Sequence, residues 1–497
     1  MVKIGFDLDG VIADAAIFKC NKIKEIYNID LEPWQLTSKV INTFVPNKKI
    51  RDNINCLSAT TMHPEFINKN LIEILQKLID LGAKLYIVSR RGKSDNGIEF
   101  GRNTIKELNI ESFFDEIIFC ETDNEKIEII KQKQLDIFID DRLGVIESVQ
   151  KHIYFPILFD EYSIRNKGLL KYDNENLLIT NDLDSVFNFA KIIKLIKNVI
   201  NKLCSEKKIN ISPTNYKIIS YVNNIVVNIN NLYLKIYSNN STIRDHELEL
   251  YSQISNTELF KEIIYSGTVE LDTKYRFALF KGIKGQTLDL VSYNTEQAKL
   301  IAKSVYNFID YTSKISCSGF GDITQDFKGL YKTFREYIFE FQHKTSTTLY
   351  LNSYTKKYSI LAYDLLVKYS DKFEIKNSYI IPVDLNFRNI MITDGFCVKI
   401  IDPGALVAGP LEMSYGEFCA HSYGTEIYNE FEKLIHQSID LKLVRIYAVF
   451  MLLNILAFII RNNTMDPRSA KPFGNNKTFF ELIDEHIKFL GYDINDR

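Results

Sequence analysis

Residues 3–11 read Lys3-Ile4-Gly5-Phe6-Asp7-Leu8-Asp9-Gly10-Val11. An apolar strand runs into two aspartates one residue apart, and a glycine follows. Side chains alternate along a strand, so Asp7 and Asp9 return to one side and Leu8 points away. Gly10 lets the backbone turn tightly and approach a ligand. In an open α/β sheet, ligands bind beyond the carboxyl ends of the strands, which sets Asp7 at the mouth of the sheet. Two clustered carboxylates call for a cation, and Mg²⁺ suits oxygen ligands and phosphates.

The same grammar recurs downstream. Lys84–Val88 reads as a strand and ends in Ser89-Arg90-Arg91. Lys126 stands near the start of a helical stretch, Asn124–Lys133. Ile137–Ile139 is an apolar strand that ends in Asp140-Asp141-Arg142. Glu116–Phe119 and Tyr154–Phe159 also read as strands, and Asn70–Leu81 as an amphipathic helix. Strand–helix alternation from Met1 to about residue 190 predicts an α/β domain, a parallel sheet covered on both faces. Residues 15 to about 70 interrupt it with helical stretches, as an inserted cap does. Trp34 falls in that cap and is read as a packed core aromatic, with stacking on a substrate ring as the alternative.

The four elements in this order resemble motifs I to IV of the haloacid-dehalogenase superfamily. The opening, the cap position and Leu158-Phe159-Asp160 through Asn166 are most similar to its 5'(3')-deoxyribonucleotidase-like branch. The resemblance implies a Mg²⁺-dependent phosphatase. Asp7 would be the nucleophile and Asp9 the acid/base. Ser89 and Lys126 would hold the phosphoryl group, with Lys131 a weaker candidate for the lysine. Asp7, Asp140 and the carbonyl of Asp9 would bind Mg²⁺, with Asp141 assisting.

After Pro213 the texture changes. Short strands are expected at Tyr216–Val222, Ile225–Ile229, Leu232–Tyr237, Tyr265–Leu271 and Arg276–Phe280, a helix at Arg244–Ile254, and long helices from Thr295 onward. Far downstream comes Pro382-Val383-Asp384-Leu385-Asn386-Phe387-Arg388-Asn389, then Ile400-Ile401-Asp402-Pro403-Gly404. Phosphoryl transfer from ATP needs a carboxylate near the acceptor hydroxyl, plus Asn and Asp ligands for Mg²⁺. Asp384, Asn389 and Asp402 supply those types.

This segment, with Gly409-Pro410-Leu411-Glu412, resembles the aminoglycoside-phosphotransferase and choline-kinase group. The resemblance implies a bilobal, protein-kinase-like α+β domain that uses ATP. Lys235, a charged residue inside an apolar strand, would reach the ATP phosphates. Glu247 would be its partner, with Glu249 as alternative. Phe280 to Gly285 resembles the hinge between lobes, and Asn223-Asn224 the hairpin turn. One departure stands out: the histidine usual two residues before the catalytic Asp is Pro382 here.

The expected organisation is therefore a phosphatase domain at 1–190, a linker helix at 191–212, and a kinase domain at 213–497. Its small lobe would end near 285, and a helical lobe would follow. A chain of 497 residues suits two or three domains. Charged residues at 25% and a net charge of -2 argue for no nucleic-acid partner. No G-x-x-x-x-G-K-[ST] run occurs, which excludes a P-loop kinase. Seven cysteines without metal spacing fit reduced thiols in a cytoplasmic protein. No signal-peptide pattern opens the chain. Ile446–Ile460 reads as a buried helix and not a membrane span. The basic amphipathic stretch 183–208 reads as a solvated connecting helix.

The functional expectation is a bifunctional phosphatase and small-molecule kinase. Its substrates would be a phosphorylated metabolite and a hydroxyl acceptor, such as sugar phosphates and sugars on the way to nucleotide-activated sugars. The alternative is a phosphatase or nucleotidase carrying a non-catalytic kinase-like binding module.

Overall fold

The computed structural model describes all residues except 38–39, 62, 92–94, 165–176, 211–215, 222–223, 238–247, 249–258, 260–261, 325–327, 403–405, 436–438, 463–464 and 493–497. Contacts divide the chain into two units, Met1–Val227 and Asn228–Arg497. The division falls inside the strand Ile225–Ile229, later than either boundary expected from sequence.

The first unit is built on a six-stranded sheet. Its order is Glu116–Cys120, Lys84–Arg90, Lys3–Phe6, Ile137–Asp140, Phe155–Phe159, Leu178–Thr180. Every pairing in it is parallel. Such strands are covered on both faces and read as near-continuous apolar runs. Phe155–Phe159 is buried at all five positions. Ile74 and Leu78 of the helix Leu71–Asp80, with Ala190 and Ile193, pack on one face. Ile130, Val145 and Ile146 pack on the other.

After Lys3–Phe6 the chain crosses to the strand on one side, and later returns to the other side through Ile137–Asp140. The carboxyl end of Lys3–Phe6 is thus a topological switch point, where such sheets leave a crevice. The cap leaves from this end. Ala13–Asp14 pairs antiparallel with Glu65–Phe66, which closes a two-strand stem. Between the stem strands lie the helices Ala16–Tyr27 and Lys48–Thr61. They share a small core of Ile23, Leu36, Val45 and Ile54, so the cap holds its own shape. Trp34 is half-buried, outside that core cluster, and meets Phe44 edge-to-face at 5.0 Å.

The helix Asp184–Ser205 corrects the expectation of a solvated connector. Nine of its residues are buried, among them Val186, Ile193 and Ile200. Lys197 reaches both carboxylate oxygens of Asp136 at 2.7 Å, and the Met1 carbonyl at 2.9 Å. Lys194 donates to the Leu81 carbonyl. Two of the lysines that made this stretch look solvated therefore fasten it to the first unit.

In the second unit, Leu232–Ile236 and Ile263–Glu270 both pair antiparallel with Lys274–Lys281. After Lys281, Gly285–Thr287 pairs with Ile390–Thr393, which in turn pairs with Val398–Ile400. The connecting segment is the one read as a hinge. Long helices follow. Thr295–Ser313 and Phe334–Tyr350 each open on a reciprocal capping box, Asn294 with Gln297 and Thr333 with Glu336. Leu441–Asn462 is long and apolar enough to cross a membrane, yet 78% of its most apolar stretch is buried inside the protein. It forms the centre of the helical core with Met413, Phe418 and Ile483.

Candidate active sites

In the first unit the strand ends converge on Lys126. Its ammonium lies 3.0 Å from Asp7 Oδ1 and 2.7 Å from Asp140 Oδ2, and the residue is 1% exposed. The Leu8 backbone N–H donates to the same Asp7 Oδ1 at 2.8 Å, which leaves Oδ2 as the freer oxygen. The Arg142 N–H donates to Asp140 Oδ1 at 2.8 Å. Carboxylate oxygens of Asp7, Asp140 and Asp141 lie within 4.8 Å of one another. Gly10 is needed here. Its φ is +76°, and a Cβ would sit 2.8 Å from Asp141 Cγ.

The charges respond to this crowding. Burial pushes the Asp140 carboxyl up, to about 7, with the Asp7 and Asp141 carboxylates adding to it against the pull of Lys126. Burial disfavours the Lys126 ammonium, but Asp7 and Asp140 outweigh that and hold it above its ordinary value. Ser89 is buried, and its hydroxyl has no hydrogen-bond partner in the described structure. Lys131, the weaker lysine candidate, is half-buried and pairs with Glu128 at 2.8 Å.

A cavity of about 430 Å³ opens over this group. Asp7, Asp9, Lys126 and Asp141 line it from the sheet, and Lys19, Arg51 and Asn55 from the cap. Asp160 also lines it, whereas Asn166 lies outside the described residues. Burial pulls the Lys19 ammonium down, against Asp9, Asp141 and Asp14. Arg90 lines the rim, while Arg91 donates from Nη2 to Asp9 Oδ1 at 3.0 Å. Sequence reasoning singled out neither Lys19 nor the Arg91 contact. A lysine on a cap helix and the second of two arginines carry no spacing signal.

In the second unit, Lys235 is buried in its strand, and its Nζ lies 3.2 Å from Asp402 Oδ2. Asn389 Nδ2 donates to the Asp384 carbonyl at 2.9 Å, closing the loop on itself. Asn386 Nδ2 donates to Asp384 Oδ1 at 2.5 Å. The structure thus joins Lys235 to Asp402 and Asp384 to Asn389. Glu247 and Glu249, the expected partners of Lys235, lie outside the described residues, as do Pro403 and Gly404.

Two groups that sequence reasoning passed over stand beside Asp384. Glu417 and His421, one turn apart on the helix Leu411–Ser422, place ligand atoms within 4.8 Å of its carboxylate. His421 Nε2 is 3.2 Å from Glu417 Oε1. Burial raises the Asp384 carboxyl, and Glu417 and Asp402 add to this against His421 and Asn386. Burial disfavours a charged His421, yet Glu417 and Asp384 raise it above its ordinary value. The i,i+4 spacing of Glu417 and His421 was visible in sequence. Their proximity to Asp384 was not.

No family model matches the chain, and no curated protein matches it. Solved structures do. Aminoglycoside phosphotransferase APH(4)-Ia is 14% identical, over 58% of this chain and 94% of its own, with a TM-score of 0.43. Choline kinase LicA from Streptococcus pneumoniae is 12% identical, over 59% of this chain and 98% of its own, with a TM-score of 0.40. A microcompartment-associated aminopropanol kinase is 11% identical, over 58% and 94%, with a TM-score of 0.40.

Proposed function

We propose that the chain carries two phosphoryl-transfer activities: a phosphomonoester hydrolase in the first unit and an ATP-dependent small-molecule kinase in the second. The observation that supports the first most is the Lys126 ammonium between Asp7 and Asp140, and with it the buried Ser89 hydroxyl, which has no partner among the described residues. Asp7 Oδ2 attacks phosphorus, and the bond to the leaving oxygen breaks. Asp9 gives that oxygen a proton. Water then attacks the aspartyl-phosphate, Asp9 takes a proton from it, and Asp7 is released with inorganic phosphate. Lys126 and Ser89 hold phosphoryl oxygens throughout.

The clustered oxygens of Asp7, Asp140 and Asp141 fit a hard divalent cation, and Asp7 and Asp140, with the Asp9 carbonyl, are the residues that would hold Mg²⁺. Bound there, it would offset charge on the transferring group.

The kinase reading is supported by Lys235 beside Asp402 and by the loop closed from Asp384 to Asn389. Asp384 accepts the proton of the acceptor hydroxyl, and Lys235 steadies the phosphates. Asn389 and Asp402 are oxygen donors suited to Mg²⁺; bound ATP would supply the phosphoryl group. Pro382 favours a second reading, a kinase-like module that binds without turnover. Phosphatase and kinase in one chain suggest successive positions on one metabolite. A sugar phosphate that loses one phosphate and gains another elsewhere, towards nucleotide-activated sugars, is the concrete case.

A paired screen with Mg²⁺ tests this. Phosphate release is measured on sugar phosphates and nucleotides, then ATP consumption with each product. Asp7→Asn should abolish the first reaction and spare the second. Phosphate release without ATP turnover on any acceptor would leave the binding-module reading.

A further inference from the structure

We infer that Arg91 is a positioning residue for Asp9, the proton-transferring group; the inference rests on the hydrolase reading above. Arg91 follows the strand Lys84–Arg90, the parallel neighbour of Lys3–Phe6, so the two strand ends lie side by side. Its backbone N–H donates to the Cys120 carbonyl at 2.9 Å, which anchors the residue in the sheet. The guanidinium lies 5.5 Å from the Phe100 ring centroid. Gly101 leaves room for Phe119 and for Arg91, because a Cβ there would stand 2.7 Å from Phe119 Cε1 and 3.0 Å from Arg91 Nε.

The Arg91 side chain is 8% exposed, whereas that of Asp9 is 46% exposed. Arg91 Nε is buried without a hydrogen-bond partner among the described residues. Among the described residues, the carboxylate that Arg91 bonds is Asp9, at 3.0 Å. A water-poor cation thus grips one oxygen of a cavity-lining carboxylate and leaves the other for the leaving oxygen. Burial of a charge is costly, and the Asp9 carboxylate offsets part of that cost for Arg91. Its planar fork fixes direction as well as charge.

Proton transfer requires the carboxylate within hydrogen-bond reach of the leaving oxygen. An Asp9 free to rotate spends less time there. The loss therefore falls on substrates whose leaving group needs the proton. An alkoxide needs it; p-nitrophenolate departs without it.

The test uses the full chain with Mg²⁺ and four variants: Arg91→Met, Arg91→Lys, Asp9→Asn and the double variant Arg91→Met/Asp9→Asn. Glycerol phosphate is followed at steady state, and p-nitrophenyl phosphate in its first turnover by rapid mixing. Arg91→Met should lower kcat on glycerol phosphate about ten-fold, with KM within about two-fold. First-turnover release of p-nitrophenolate should change less than about two-fold. Arg91→Lys should recover most of the loss and also serves if the Met variant does not fold. In the Asp9→Asn background, Arg91→Met should add nothing. Equal losses on both substrates, or a loss that persists without the Asp9 carboxylate, would overturn the inference while leaving the hydrolase reading intact. A wild-type chain inert on both substrates would overturn the hydrolase reading and this inference with it.

Discussion

Lys126→Met removes the ammonium that separates Asp7 from Asp140. The pair distances are 3.0 and 2.7 Å, and Lys126 and Asp140 are buried. Without it, the carboxylate oxygens of Asp7, Asp140 and Asp141 face one another within 4.8 Å. Removing one partner of a buried ion pair costs about 3–5 kcal/mol, because the other charge stays buried. In a unit of this size, each kcal/mol shifts the midpoint by roughly 2–4 °C. The first unit's transition should therefore fall by roughly 6–20 °C in chelator, the product of those ranges. Calorimetry on the full chain reads this, with the second unit's transition as internal reference.

Mg²⁺ should return part of the loss, since a cation supplies the missing charge to the folded state alone. Acidity gives a second reading on the same group. Burial raises the Asp140 carboxyl to about 7 in the folded chain, against about 3.9 for an unfolded aspartate. Its contribution to stability is then full below about pH 4 and is lost as pH rises toward about 7. In Lys126→Met, with the lysine's pull gone, that decline should extend to higher pH. A transition within about 2 °C of wild type in chelator would refute the reasoning, because a buried pair cannot be broken at so small a cost.

The remaining predictions concern both sites. Asp384→Asn should lower ATP-dependent phosphorylation by about 10²- to 10⁴-fold and leave phosphate release unchanged, measured on one preparation. Asp384 must be ionised to accept a proton, and its carboxyl is raised by burial. The acid limb of the kinase pH profile should therefore lie above the ordinary aspartate range. His421→Asn removes a neighbouring cation and should move that limb to still higher pH; a downward move would refute His421 as the cation. Lys19 faces the cavity from the cap. Lys19→Met should raise KM for anionic phosphate esters roughly ten-fold with little change in kcat, the scale of one charge-assisted hydrogen bond. An unchanged KM across the panel would remove Lys19 from substrate binding.

Much of this was legible in the sequence for local reasons. A strand's period is two, and chemistry gathers at strand ends, so Asp7 with Asp9, Ser89 and Asp140 stood out as punctuation after apolar runs. The spacing from Asp384 to Asn389 is a property of one loop, and its closing bond lies within that loop. The cap was visible as an interruption, and Leu441–Asn462 as an apolar helix.

What joins distant segments was decided only by tertiary structure. Lys126 and Lys131 sit on one helix, and their types alone do not choose between them. The resemblance ranked Lys126 first, and the fold brings Asp7 and Asp140 beside Lys126 while Lys131 faces Glu128. The lysines of Asp184–Ser205 looked solvated because composition records charge and not partner; Asp136, 61 residues away, gives Lys197 a buried one. Arg91 meets Asp9 across 82 residues, and His421 comes to the Asp384 loop from the helix Leu411–Ser422. Periodicity fixes which way a side chain points from its own element. Which charge it then faces depends on how elements stack, and that follows from burying the apolar faces together.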